Sequence, residues 1–201
     1  MDIELIKTWL GTGAINVFGR PFAGKDTVCA RLGEDLDGVV LGGGDILRNS
    51  VIPPHVKEII DSGALAPTDD YIDIVLPYLS KAEFADKSLI LSSVGRWIGE
   101  EQGVLQAAEK SGHGIKAVIY LDISNDVARE RLNNAHTTDR ESRADDTLAT
   151  LEKRFNEFEE KTLPVIHEYE KLGLLVRIDG SAPHHDVYTA VISALATKAH
   201  I

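Results

Sequence analysis

The stretch NVFGRPFAGKDTVCARL, residues 16–32, decides how the rest of this chain is read. A β-favouring run over residues 14–18 leads into Gly19, Gly24 and Lys25 follow shortly after, and DTVCARLGEDL then continues in helical fashion. Strand, glycine-bracketed turn, lysine and helix start are the mechanical parts of a phosphate-binding loop. The glycines let the backbone wrap so that successive N–H groups point inward, the helix N-terminus adds partial positive charge, and Lys25 reaches the outer phosphates. One residue breaks the usual pattern. Where such loops place Ser or Thr directly after the lysine, this chain has Asp26 and then Thr27. A bare carboxylate repels polyphosphate, whereas a divalent cation between the two reverses the sign. The alternative is that Asp26 faces away and caps the helix start, where an acid suits the helix dipole. Both readings of Asp26, metal support and helix-start acid, stand at this point.

Outward from the loop, four more short runs read as buried strands, at residues 38–41, 89–92, 117–121 and 174–178. Most are β-branched or Leu-rich without polar alternation, the pattern of a parallel sheet covered on both faces. Helical stretches separate them, so strand and helix alternate along the chain as in an open α/β sheet with right-handed crossovers. The clearest helix spans residues 146–172, where Leu148, Leu151, Phe155, Phe158, Thr162, Val165 and Tyr169 recur at three- and four-residue steps, with Pro164 placed to kink it. Two segments depart from the alternation. Residues 48–81, with Pro53, Pro54, Gly63 and Pro67, read as short helices inserted after the second strand, and the polar run AHTTDRESRADD, residues 135–146, reads as a lid.

With 201 residues and 43% apolar composition, the chain can bury one sizeable core, which implies a single domain over residues 1–201. No window approaches a membrane-spanning apolar run, and the opening MDIELIKTWLGTG carries Asp2, Glu4 and Lys7, unlike a secretory segment; the expectation is a soluble, cytoplasmic protein without a membrane partner. The single Cys29 excludes an internal disulfide and a cysteine-based zinc site, and its neighbours Val28, Ala30 and Leu32 favour a buried thiol. A formal charge of −11 argues against sequence-independent nucleic-acid binding, so an anionic small substrate needs a local basic site. Half of the arginines, Arg129, Arg131, Arg140, Arg143 and Arg154, fall in one stretch that could form such a site, or a solvated helix face paired with Glu130 and Glu152. His184 and His185 read as surface histidines, Trp9 and Trp97 as packing residues, and Asp122 as a strand-end acid that either orients a lid residue or is simply solvated.

The spacing Gly-Lys-x-Thr begins a resemblance that runs from Ile15 to the C-terminus. GRPFAGKDT is similar to GxPGxGKGT, the loop of the adenylate kinase and nucleoside monophosphate kinase family. LGGGDILRNS resembles LSTGDLLR, IIDSGALAPTDDYIDIVLPYL resembles MDAGKLVPDELVIALV, and AVIYLDISNDVARERL resembles the family's fourth strand and the helix leading to its lid. SRADDTLATLEKRFNEFEEKTLPVIHEYEKLGLLVRIDGSAP resembles the closing motifs GRxDD, KRL, TxPLIxYY and IDGT, leaving residues 1–13 as an unmatched extension expected to be helical.

The resemblance implies a P-loop NTPase fold: α/β in three layers, α/β/α, with a five-stranded parallel sheet, a helical insertion at residues 45–81 for the monophosphate, and a short lid at residues 135–145. It implies transfer of the γ-phosphoryl of ATP, with Mg²⁺, onto a (deoxy)nucleoside monophosphate by a monomer, with AMP the first acceptor to consider; the alternatives are a kinase of another small acceptor on the same core and a nucleotide-binding protein without catalysis, which SSVGR suggests. The ATP-binding positions it carries over are Gly19, Pro21, Ala23, Gly24, Lys25, Asp26, Thr27, Arg131 and Ala182. Those for the monophosphate are Gly43, Arg48, Ala64, Leu65, Ala66, Gly95, Arg96 and Gln102, and the catalytic set is Lys25, Arg96, Arg143 and Arg154. Thr27, and by hypothesis Asp26, would hold Mg²⁺ through water. Phosphoryl transfer requires charge neutralisation more than covalent help, which suits planar arginine forks. The departures from the family cluster in SSVGRW, where the family has DGFPR: Ser92 and Ser93 replace Asp-Gly and Gly95 replaces Pro, while Arg96 is kept. The missing Asp is the family's support for Mg²⁺. Glu100 stands where the family's base-reading glutamine is expected, Gln102 lies two further on, and Gly43 replaces a threonine, so the acceptor base is left open.

Overall fold

The apolar runs pair into one parallel sheet of β1 (Ala14–Gly19), β2 (Val39–Gly42), β3 (Leu89–Ser92), β4 (Ile115–Asp122) and β5 (Leu175–Asp179), in the order β2-β3-β1-β4-β5. The computed structural model describes residues 2–61, 68–135 and 148–200, apart from the side chains of residues 47, 48, 59–61, 68, 69, 71 and 135. β3 has the expected bounds, and the other four strands differ from the sequence expectation by one or two residues at their ends. A ladder extends as far as its neighbour pairs, so Ala14 of β1 draws Ile115 into β4 ahead of the apolar run.

All six residues of β1 are buried, and alternate side chains enter opposite layers. Ile15 and Val17 face a core shared with α1 (Asp2–Leu10), α2 (Lys25–Leu36), α7 (Asn125–Ala135), α8 (Leu148–Glu157) and α10 (His184–Ala199). Ala14 and Phe18 face the other side, where α3 (Gly43–Arg48), α5 (Thr68–Leu79), α6 (Glu100–Lys110) and α9 (Leu163–Lys171) pack. The α/β/α layering and five parallel strands are those expected. Between β2 and β3 the chain forms α3, α4 (Pro54–Asp61) and α5, with Val56 of α4 packed on Ile74. The N-terminal segment is helical as anticipated: Ile6 and Leu10 of α1 are fully buried and Trp9 packs against the same core.

The long helix expected over residues 146–172 is interrupted. α8 gives way to a π turn, Phe158–Thr162, before α9 begins. Pro164 lacks the N–H that an unbroken α-helix would aim back one turn, and the chain widens just before it. The same turn changes layers, since Phe155 packs in the first core and Phe158 in the opposite one. Because the strands are parallel, the loops following all five converge at one edge of the sheet, the edge where open α/β folds hold ligands.

Candidate active site

The loop after β1 is shaped by contacts that side chains would obstruct. A Cβ on Gly19 would lie 2.9 Å from the carbonyl oxygen of Leu121 and 3.0 Å from Cβ of Ala23, so the chain leaves β1 pressed against β4. Phe22 and Gly24 both adopt left-handed backbone, with φ of 62° and 89°. Helix α2 starts at Lys25 with Gly24 as its N-cap, which puts the first-turn amides at the loop mouth. Asp26 does not supply the cap. Its carboxylate instead accepts a 3.5 Å hydrogen bond from Ser92 Oγ at the end of β3, while its place in the first helical turn still suits the dipole. Cys29, one turn on, is 1% exposed, and burial pushes its thiol up to about 12.

Arg131, expected among the ATP-binding residues, clamps the loop as well. Its Nη1 donates to the Phe22 carbonyl at 3.1 Å, and its Nη2 donates to the carbonyls of Gly180 at 2.6 Å, Ser181 at 3.3 Å and Ala182 at 3.4 Å. Partial burial lowers the guanidinium pKa. Both Nη groups are thus engaged with backbone, which fixes the plane of the guanidinium. Arg131 and Ala182 line a cavity of about 360 Å³ together with Val127, Glu130, Asn134, Ser181, Pro183 and His184. His184, read from sequence as a surface residue, is exposed to solvent but lies against the loop: a Cβ on Gly24 would sit 3.5 Å from its Cε1 and Nδ1. A second cavity, of about 390 Å³, is lined by residues 8–13, Glu109, Gly112, Gly114 and Lys116 and contains none of the expected site residues.

The loop after β3 is held differently. Asn16, wholly buried in β1, donates from Nδ2 to the Val94 carbonyl at 2.8 Å and accepts the Val94 N–H at 3.3 Å. Ser93 and Gly95 have φ of 51° and 71°. Gly43 backs onto this loop so closely that a Cβ would meet the Ser93 carbonyl oxygen at 2.9 Å, which explains a glycine where the family has threonine. Arg96 is exposed, Gln102 is exposed on α6, and Lys161 of the π turn lies 4.4 Å from the centre of the Trp97 ring. Glu100 accepts the Trp97 N–H at 3.2 Å, and its pKa is raised by burial. At the position of the base-reading glutamine, this chain therefore has a carboxylate engaged with its own loop.

The arginine stretch divides by role. Arg129 pairs with Glu152 through 2.7 and 3.0 Å bonds and with Asp126 at 2.8 Å, bracing α7 against α8 and holding the Glu152 pKa down. Arg154 lies on α8. Asp122 accepts from the Tyr120 hydroxyl at 2.9 Å and faces Arg177 at 3.6 Å, so it serves the sheet edge. Arg48 ends α3 with its side chain outside the description, and Ala64, Leu65, Ala66, Arg140, Arg143 and the lid from residue 136 lie outside the described residues. Among the described residues no three His, Cys, Asp or Glu side chains gather as metal ligands. Asp26, Thr27 and Ser92 instead offer hard oxygen atoms of the kind suited to a Mg²⁺ held mainly by phosphate and water.

Comparison with known proteins gives the family. Residues 17–174 match the adenylate kinase family. The chain is 32% identical over 198 residues to a UMP-CMP kinase of Lentinula edodes, covering 90% of this chain and 85% of that protein. It is 29% identical over 185 residues to adenylate kinase isoenzyme 1 of Caenorhabditis elegans, covering 89% and 85% respectively. An adenylate kinase of Thermus thermophilus is 28% identical over 188 residues, covering 90% of this chain and 96% of its own length. Among the described residues no helix is long and apolar enough to cross a membrane.

Proposed function

The chain belongs to the adenylate kinase family and is an ATP-dependent nucleoside monophosphate kinase, and we propose that the loop after β1 holds Mg²⁺·ATP while the loop after β3 faces the acceptor, AMP in the first instance. The observation that carries this division is the meeting of the two loops: the start of α2, with Lys25, opens beside the end of β3, where Ser92 reaches Asp26. Lys25 and the loop amides neutralise the donor phosphates. The nucleoside of ATP extends into the cavity walled by Arg131, Ala182 and His184. Arg48 and Arg96 grip the acceptor phosphate, and Arg143 and Arg154 take up charge that shifts onto the transferring group. No general base is needed, because the acceptor oxygen is already ionised.

A bound Mg²⁺ would supply positive charge that offsets the charge of the donor phosphates. Thr27 and Asp26 would orient its waters, with Asp26 standing in for the acid that the family carries where this chain has Ser92. The insertion between β2 and β3 and the segment after α7 act as acceptor cover and lid, excluding water so that ATP is not wasted by hydrolysis. We assign the enzyme to the cytoplasm as a monomer. The experiment is ATP-dependent diphosphate formation across AMP, GMP, CMP, UMP, dTMP and their deoxy forms. Transfer to AMP above the rest is expected; preference for UMP or CMP would reassign the acceptor, and nucleotide binding without transfer to any monophosphate would overturn the reading.

A further inference from the structure

We propose that Arg20 is a positioning residue that fixes the donor loop relative to the helix carrying Arg154; the inference rests on the kinase reading above. Arg20 follows Gly19 directly, inside the phosphate loop, and its side chain is only 14% exposed. Its Nε donates to the Ile123 carbonyl at 3.0 Å, its Nη1 donates to Glu159 Oε1 at 3.0 Å, and its guanidinium carbon lies 4.9 Å from the centre of the Phe158 ring. Glu159 also accepts from Asn125 Nδ2 at 3.3 Å, and Phe158 stacks on Tyr120 with ring centres 6.2 Å apart. One side chain thereby ties together the loop after β1, the turn between β4 and α7, and the π turn.

The π turn gives this tie its meaning. Phe158 lies one helical turn beyond Arg154, so whatever anchors Phe158 and Glu159 also sets where α8 ends. Widened turns of this kind often occur at functional sites. A charge-assisted bond, shielded on its arginine side and backed by an aromatic face, holds this one in place. Arg20 acts on the reaction through Arg154: it keeps that guanidinium at the right distance from the phosphates held by Lys25, where small misplacements are expensive.

The test is a steady-state comparison of Arg20→Ala, Arg154→Ala, the double variant and Glu159→Gln, each checked by thermal unfolding. Arg20→Ala should lower kcat ~10-fold or more with KM for ATP changed less than ~2-fold. In the Arg154→Ala background the same substitution should cost under ~2-fold, because its route to the reaction is already gone. Glu159→Gln should reproduce part of the loss. It keeps the Ile123 and Phe158 contacts of Arg20, so it serves the same comparison if Arg20→Ala does not fold. Equal losses in both backgrounds would overturn the inference while leaving the kinase reading intact. A tenfold rise in KM at unchanged kcat would also overturn it, by making Arg20 a phosphate contact. Wild-type kcat in Arg154→Ala would remove the assigned role of Arg154 and the inference with it.

Discussion

The loops after β1 and after β3 leave neighbouring strands at the same sheet edge, yet they are built on different principles. The first works through its backbone: Gly19 against β4, left-handed turns at Phe22 and Gly24, and amides opening at Lys25. The second works through side chains, and several of those have changed. Ser92, Gly95 and Glu100 occupy positions where the family carries an acid, a proline and a glutamine, and the fold of that loop is kept by Asn16 reaching across from β1. A backbone-built site survives substitution around it with its chemistry intact. A side-chain-built site has to move its chemistry when those residues change, which is the role proposed above for Asp26 beside Ser92.

The largest test of this contrast is Lys25→Ala, which should lower kcat on the order of 10²–10³-fold, by analogy with removing a single charge-stabilising donor, while leaving thermal unfolding unchanged. A retained fold with near-normal turnover would break the assignment of the first loop as the donor site. Next comes Asn16→Ala. It leaves the buried N–H and carbonyl of Val94 without partners, which should cost about 1–3 kcal/mol in urea unfolding and reduce turnover by loosening the second loop. Turnover preserved despite the lost stability would show that the loop after β3 needs no anchor.

A smaller effect is expected from Asp26→Asn: the Mg²⁺ concentration for half-maximal rate should rise severalfold, and Mn²⁺ binding to the nucleotide complex should weaken in parallel. Ser92→Asp in the same chain should partly restore both, and strictly additive effects would count against a shared metal role. The smallest concerns Glu100→Gln. Burial raises the Glu100 pKa above its ordinary 4.5, so the folded state holds that proton more tightly than the unfolded state, and stability falls as pH rises from about 4.5 toward the folded value. Removing the titration should flatten that part of the stability curve and leave the 3.2 Å acceptor contact with Trp97 available to the amide oxygen. An unchanged slope would mean that Glu100 does not titrate differently in the fold.

The sequence carried the strands and the phosphate loop clearly, because buried parallel strands are written as uninterrupted apolar runs and the loop as glycines at fixed spacing. It did not carry what depends on chain crossings. His184 reaches Gly24, Asn16 reaches Val94 and Arg20 reaches Glu159 over sequence separations that no local pattern encodes. Arg129 and Arg131 show the same limit at close range. They sit two residues apart on α7, yet one braces two helices and the other binds four carbonyls, a difference set by which face of the helix meets which neighbour. The π turn escaped for a related reason: the apolar spacing through Phe155 and Phe158 is helical, and the change of layer between them is visible only once both cores exist.

Cys29 turns the seam between α2 and β3 into a clock. It is the chain's one thiol, and at 1% exposure, with its proton held by burial, it is closed to reagents while the seam stays shut. An alkylating agent can therefore reach it only through transient opening, and the labelling rate reads how often the segment carrying Lys25 and Asp26 lifts from its neighbours. ATP bound at that helix start should slow the clock in proportion to its occupancy, while a nucleoside monophosphate held across the edge should slow it less. The two ligands could then be followed separately in an enzyme at rest, without a single turnover.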